Sequence, residues 1–238
     1  MHRTVLVGSP REDGRCAHLA DAIFNACIED CPDDGVSLVS VAGLEVAPCI
    51  GCDACKRTLS ADDAAYPEPP EVDDPLRQMP LVFKSNASAH QCFQADGMRD
   101  VRLHLDAANR LILVAPLYFA GAPAQLKAVL DRLQPYYWSD IRSRTKKRRA
   151  FEVHVVGEGG NPFGFEPLVV TAQSALGAAG FKLERVLDWT GCITEDGQIT
   201  EDATEYVLDD DGRLCAGADI PPDAVDVPCA SSAPDEEA

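Results

Sequence analysis

Thr4-Val5-Leu6-Val7-Gly8-Ser9-Pro10-Arg11-Glu12-Asp13-Gly14-Arg15-Cys16 decides the architecture of this 238-residue chain. Its opening run of apolar and β-branched residues does not alternate with polar ones, which marks a strand buried on both faces. A turn with glycine, serine and proline follows. Leu19, Ala22, Ile23 and Ala26 then recur at helical spacing over residues 15–30. Strand, glycine-bearing loop and helix in that order bring backbone N–H groups and the positive end of a helix dipole to one edge, where an anion is stabilised. Ser9 adds a hydroxyl, and Arg11 and Arg15 can form charge-assisted hydrogen bonds. An ordinary βα turn with solvated arginines is the other reading of the same residues.

The rhythm continues along the chain. Residues 36–41, 111–115, 151–156 and 181–189 read as further strands. Helical stripes occupy 95–108 (Met98, Val101, Leu105), 122–133 (Leu126, Val129, Leu130) and 167–179, with Gly180 as a stop. Strands alternating with helices predict a mostly parallel sheet covered on both faces, an α/β domain over residues 1–194. Two segments break the pattern. Residues 56–91 hold six Asp/Glu and five Pro, and read as an insertion. Residues 195–238 hold fourteen Asp/Glu against Arg213 alone, and read as an acidic extension, disordered near its end. That extension carries −13 of the net charge of −18. Such a field repels nucleic acid. The basic cluster Arg142, Arg144, Lys146, Lys147, Arg148 and Arg149 lacks an aromatic platform for it. That cluster reads as a solvated loop or as an attractor for an anionic cofactor.

No apolar run approaches the roughly 20 residues of a membrane span, and the N-terminus runs straight into a strand without a secretory leader. A cytoplasmic location is expected, with the ten cysteines as thiols or metal ligands rather than disulfides. Pro48-Cys49-Ile50-Gly51-Cys52-Asp53-Ala54-Cys55 is the outstanding cluster. A single C-x-x-C suits a redox dithiol or half a zinc site. A third cysteine at the same step favours an iron–sulfur cluster. The five histidines show no metal-binding spacing, and no side chain stands out as a catalytic acid or base.

The remaining signals are loops. Ala115-Pro116-Leu117-Tyr118-Phe119-Ala120-Gly121 follows a buried strand and precedes Gln125-Leu126-Lys127 and Asp131-Arg132. Its two aromatic rings offer flat surfaces to a planar ligand. Gly157-Glu158-Gly159-Gly160 permits close backbone approach. Ligands of doubly wound sheets bind at the strand C-termini, so all three loops converge there.

Gly8-Ser9-Pro10-Arg11 with Gly14, and the Pro116-to-Arg132 segment, resemble the flavodoxin-like, NAD(P)H-dependent FMN reductase superfamily. The resemblance implies a three-layer fold with five parallel strands in the order 2-1-3-4-5. It implies FMN with its phosphate at Ser9, Arg11, Gly14, Arg15 and Cys16. The ring would lie against Pro116, Leu117, Tyr118, Phe119 and Gly121, flanked by Gly157, Gly159 and Gly160. Arg15-Cys16 departs from the superfamily's Asn-Thr, replacing a hydroxyl with a weaker thiol donor. The cysteine run is similar to that of the iron–sulfur flavoprotein branch, whose fourth cysteine precedes an Asp-Asp-Met. Here Cys92 stands ahead of Asp96-Gly97-Met98 after 36 intervening residues. The resemblance thus implies a [4Fe–4S] cluster on Cys49, Cys52, Cys55 and Cys92. It also implies a homodimer or homotetramer fed by NAD(P)H or a ferredoxin, catalysing FMN-dependent electron transfer. A cluster-free FMN or quinone reductase and a non-enzymatic electron carrier are the alternatives.

Overall fold

The structure, a computed structural model, describes residues 1–56, 90, 92–139, 149–209 and 213–220. Seven strands form one sheet in the order β2-β1-β3-β4-β5-β6-β7. They are β1 (His2–Val7), β2 (Gly35–Ser40), β3 (Arg110–Pro116), β4 (Arg149–Val156), β5 (Phe181–Asp188), β6 (Ala203–Leu208) and β7 (Leu214–Ile220). The first five pair in parallel, and β6 and β7 join antiparallel. The five-stranded sheet expected from sequence therefore needs correction. Its order holds, but two further strands extend it beyond β5. They come from the acidic segment, whose sequence shows no clear alternation. On β6, burial falls along the strand, from buried Ala203 through half-buried Thr204, Glu205 and Tyr206 to exposed Val207. Charged residues on such strands also discourage pairing with other chains.

Among the described residues five helices cover the sheet: α1 (Arg15–Asp30), α2 (Met98–Ala107), α3 (Ala124–Asp131), α4 (Gln134–Trp138) and α5 (Glu166–Ala178). Strand alternation sorts the core into two layers. Val5, Val7, Ile112 and Val114 pack with Leu19 and Ile23 of α1 and with Trp189. Leu6, Leu111, Leu113 and Val153 face the other way, against Met98, Leu126, Val129 and Leu168 of α2, α3 and α5. The insertion lies outside the described residues except for its flanks, Lys56 and His90. Residues 230–238, expected to be disordered, lie outside them too, as does the basic cluster apart from Arg149. That residue is no solvated cation. Its guanidinium donates to the carbonyls of Leu105, Ala108 and Ala179, and stacks 4.0 Å from the Phe181 ring centroid.

A polar network runs through the β3–β5 region. Glu152, 3% exposed, accepts from Arg110 at 3.0 Å, Arg185 at 2.9 Å and His154 Nε2 at 3.2 Å. The Trp189 indole N–H donates to His154 Nδ1 at 3.1 Å. An indole nitrogen can only donate, so Nδ1 holds the lone pair and Nε2 carries the proton that Glu152 accepts. Burial pushes the Glu152 carboxyl up. The His154 hydrogen bond and the charges of Arg185 and Arg110 outweigh it and hold the carboxyl far below the usual range.

Candidate functional site

Three strand-end loops meet at one cavity of about 850 Å³. The first follows β1. The Gly8 N–H donates to the Val114 carbonyl, tying this loop to β3. Ser9 is buried, and its hydroxyl accepts from the Arg11 N–H at 3.1 Å, which leaves its own proton to donate. Gly14 precedes α1 with φ 143° and ψ −178°, a conformation essentially confined to glycine. The first-turn N–H groups of α1, which follow it, have no intrahelical acceptor, as in any helix. That turn holds no acidic residue.

Arg15 braces the cavity wall: Nε donates to the Ile193 carbonyl at 2.9 Å, and a terminal nitrogen pairs with the exposed Glu158 at 3.3 Å. Burial pushes the Cys16 thiol up to about 12, against the lowering influence of Arg11 and Arg15. Cys16 is therefore a neutral S–H at pH 7, able to donate weakly and unable to repel a phosphate.

The second loop follows β3. Tyr118 and Gly121 exchange backbone hydrogen bonds of 2.9 Å each way. Between them Phe119 and Ala120 lie at φ 50° and 65°, so the four residues form a turn with two left-handed central positions. Neither is glycine, and strain of this kind clusters at ligand sites. Pro116, Leu117, Tyr118 and Phe119 line the cavity, with the Phe119 side chain fully exposed. Gly121 does not line it; its role is to close the turn. The N–H groups of Leu117, Tyr118 and Gly121 are bonded within the backbone. Among the lining residues of this loop, Pro116 has no N–H and those of Leu117 and Tyr118 are bonded, which leaves the Phe119 N–H as a donor to a ligand.

The third loop follows β4. Gly157, Gly159 and Gly160 all line the cavity. A Cβ on Gly157 would lie 3.2 Å from Thr190 Cγ2, and Gly159 and Gly160 hold φ 86° and 73°. The Gly191 N–H bonds the Gly157 carbonyl, so the loops after β4 and β5 run side by side.

Sequence reading missed several lining groups. Phe163 and Phe165 follow the glycine loop directly, and their spacing two apart was a legible signal. Asp188 and Thr190 come from the end of β5. Tyr206 comes from β6, where it meets Phe165 edge-on at 5.2 Å. No local signal marked Tyr206, because its place depends on an antiparallel strand that the acidic composition concealed.

A second cavity, of about 290 Å³, is lined by Cys49, Cys52, Cys55 and Cys92, together with Asp131, Arg132, Pro135 and Trp138. None of the four cysteines is in a disulfide. Cys92 reaches the triplet despite the insertion because the flanks of that insertion meet. His90 Nδ1 donates to the Cys55 carbonyl at 2.9 Å. Gly51 and Asp53, at φ 66° and 60°, curl the triplet loop, and Lys56 lies over the Trp138 ring of α4. Burial raises the Cys55 thiol, and the neighbouring Cys92, Cys49 and Cys52 add to it. Among the described residues, no three His, Cys, Asp or Glu side chains stand close enough as placed to hold a metal ion.

Arg132, 2% exposed, lies beneath this cavity. Its two terminal nitrogens donate to Asp96 at 2.8 and 3.0 Å, to the Ala47 carbonyl at 2.8 Å and to the Gln94 carbonyl at 3.2 Å. Asp96 also accepts from the N–H groups of Ala47 and Met98. Burial pushes the Asp96 carboxyl up, and these donors outweigh it and hold the carboxyl below its ordinary value.

Residues 1–181 match the family of NADPH-dependent FMN reductases. The chain belongs to that family. Curated relatives of this FMN reductase family member include an iron–sulfur flavoprotein of Methanocaldococcus jannaschii, 31% identical over 128 residues. That match covers 54% of this chain and 49% of the relative. An iron–sulfur flavoprotein of Methanosarcina thermophila is 28% identical over 134 residues, covering 56% and 52%. The chain thus spans about half the length of the curated relatives it matches. Among solved structures, the flavoenzyme NAD(P)H:(acceptor) oxidoreductase FerB of Paracoccus denitrificans aligns with a TM-score of 0.44. It is 14% identical, with 84% of this chain and 86% of that one covered. No described helix is long and apolar enough to cross a membrane.

Proposed function

We propose that this chain is an FMN-dependent oxidoreductase that also holds a [4Fe–4S] cluster. The observation that carries the flavin reading is the convergence of three loops on one cavity with an anion-binding end and an aromatic end. The residues fit the group. Ser9 and the first turn of α1 supply donors to a phosphate, with Arg11 beside them. Pro116 to Phe119 supply a flat apolar wall, and the Phe119 backbone supplies an N–H for a ring acceptor. Gly157 holds the facing wall close without a side chain. Bound FMN supplies hydride and single-electron chemistry, and hydrogen bonds to its ring tune the potential. The chain's own task is to hold the phosphate, stack the ring and narrow access to water.

The cluster reading rests on four cysteines that line a single cavity from both sides of the insertion. Thiolates at this spacing suit iron–sulfur ligation. Helix α3 joins the two cavities: residues before it line the first and residues after it line the second. Its eight residues rise about 12 Å. Electrons would come from NAD(P)H or a ferredoxin, in a cytoplasmic homo-oligomer. A cluster-free NAD(P)H-dependent FMN or quinone reductase is the second reading, favoured by the absence of a tight metal-binding group among the described residues.

Anaerobic purification, a visible spectrum and iron and sulfide assays test both readings. Flavin bands with about four irons per chain, lost in Cys92→Ala, support the cluster. Flavin bands without iron select the cluster-free reductase. Failure to bind added FMN refutes the flavin reading.

A further inference from the structure

The loops that bear the cysteines have little to hold them in place by themselves. Cys49 and Cys52 are exposed, the triplet loop has no regular structure beyond one 3-10 turn at Ala54–Lys56, and Cys92 is separated from it by a long insertion. Something outside these loops must set the spacing of the four sulfurs. Of the buried charged groups among the described residues, only one touches both cysteine-bearing segments. Arg132 bonds Ala47, two residues before Cys49, and Gln94 and Asp96, two and four residues after Cys92. Asp96 in turn grips the Ala47 N–H, and the Gly97 N–H bonds the Glu45 carbonyl. A Cβ on Gly97 would come within 3.1 Å of that carbonyl, so the two segments are in direct backbone contact there. Arg132 also lines the cavity, and among the described residues its buried Nε has no acceptor. Buried donors in complete sites are nearly always paired.

We infer that Arg132 is a positioning residue for the four-cysteine site. It clamps the segments before Cys49 and after Cys92 into one frame, and its remaining N–H is a donor for a sulfur of whatever the thiols hold. The inference deepens the cluster reading and rests on it only for the identity of the bound group. The frame itself is built from the chain's own residues, whatever the ligand. A planar guanidinium serves here because it meets two carbonyls and a carboxylate at fixed angles, which an ammonium cannot do.

The test measures distance between thiols and needs no cluster. The full chain, freed of metal by a chelator under reducing conditions, is treated with dibromobimane, which fluoresces when both arms alkylate. Peptide mass spectrometry counts bridges from Cys92 to the 49–55 peptide. The intact chain should form this bridge. Arg132→Gln should lower its yield about tenfold, and Arg132→Lys by a smaller factor. FMN affinity, read at the other cavity, should stay within twofold and report that each variant is folded. Should Arg132→Gln fail that control, Asp96→Asn removes the same clamp from the other side and should lower the yield about as far. An unchanged bridge yield in folded variants overturns the inference, as does the absence of the bridge in the intact chain. If bridging depends on Arg132 but the intact chain takes up no iron on anaerobic reconstitution, the clamp stands and the cluster reading fails.

Discussion

Replacing Gly14 by alanine tests whether the loop before α1 is held in a conformation that serves the ligand. The added methyl meets no obstacle, since its nearest neighbour is the Arg11 side chain at 4.0 Å. The whole effect is therefore conformational. At φ 143° and ψ −178° an L-residue is strained by about 1–3 kcal/mol. Two outcomes are possible for the free chain. If the loop keeps its shape, the strain lowers the stability of the free and FMN-bound protein alike. For a chain of this length that is roughly 2–12 °C in Tm, with an unchanged Kd. If the loop relaxes, the free protein keeps its Tm and binding must restore the strained shape. The Kd for FMN then rises roughly 5- to 150-fold. In both cases the FMN-saturated protein loses the same 1–3 kcal/mol. Differential scanning fluorimetry at saturating FMN, with flavin fluorescence titration for Kd, separates the two outcomes. Gly43→Ala is the control, because no atom lies within 4 Å of its Cβ and its φ is not left-handed. A Gly14→Ala protein with wild-type Tm at saturating FMN and a Kd within twofold would refute the reasoning.

Two further outcomes follow from the described geometry. Glu152→Gln removes the charge that compensates Arg110 and Arg185, and should cost about 3 kcal/mol, or roughly 6–12 °C in Tm at pH 7. The folded pKa of Glu152 lies below its unfolded value of 4.5. Its stabilisation is thus complete above about pH 4.5 and is lost as pH falls below that. The gap between wild type and variant should narrow by about 1.4 kcal/mol per pH unit below 4.5, and a gap constant from pH 6 to 3 would contradict the network. Tyr206→Ala removes an aromatic edge from the larger cavity and its contact with Phe165, and should weaken FMN binding roughly 2- to 10-fold. An unchanged Kd by titration would show that β6 does not reach the ligand.

Much of this protein was legible in local pattern. The buried runs around Leu6 and Leu113 announce parallel strands, because a strand covered on both faces cannot alternate. Gly14 announces the turn between β1 and α1, because few other residues permit that conformation ahead of a helix. The cysteine spacing by itself puts three thiols on one short loop. Other features depend on contacts between segments far apart in sequence, which no window of residues contains. β6 and β7 lie in the sheet because Val186 and Leu187 leave an edge that pairs with Tyr206 and Glu205, and the acidic composition gives no hint of it. Tyr206 joins the cavity for that reason alone. Gly121 looked like a ligand contact by position, yet its backbone is used to close a turn. Nothing in the local pattern around Arg132 marks its role. Its burial, its hold on Ala47, Gln94 and Asp96, and the approach of Cys92 to Cys55 through His90 are products of tertiary packing. The residue types and their periods determined where strands, helices and reactive groups lie along the chain. Which groups share a cavity was decided only when the sheet order and the buried guanidinium brought distant loops together, since burial and hydrogen-bond pairing are properties of the folded whole.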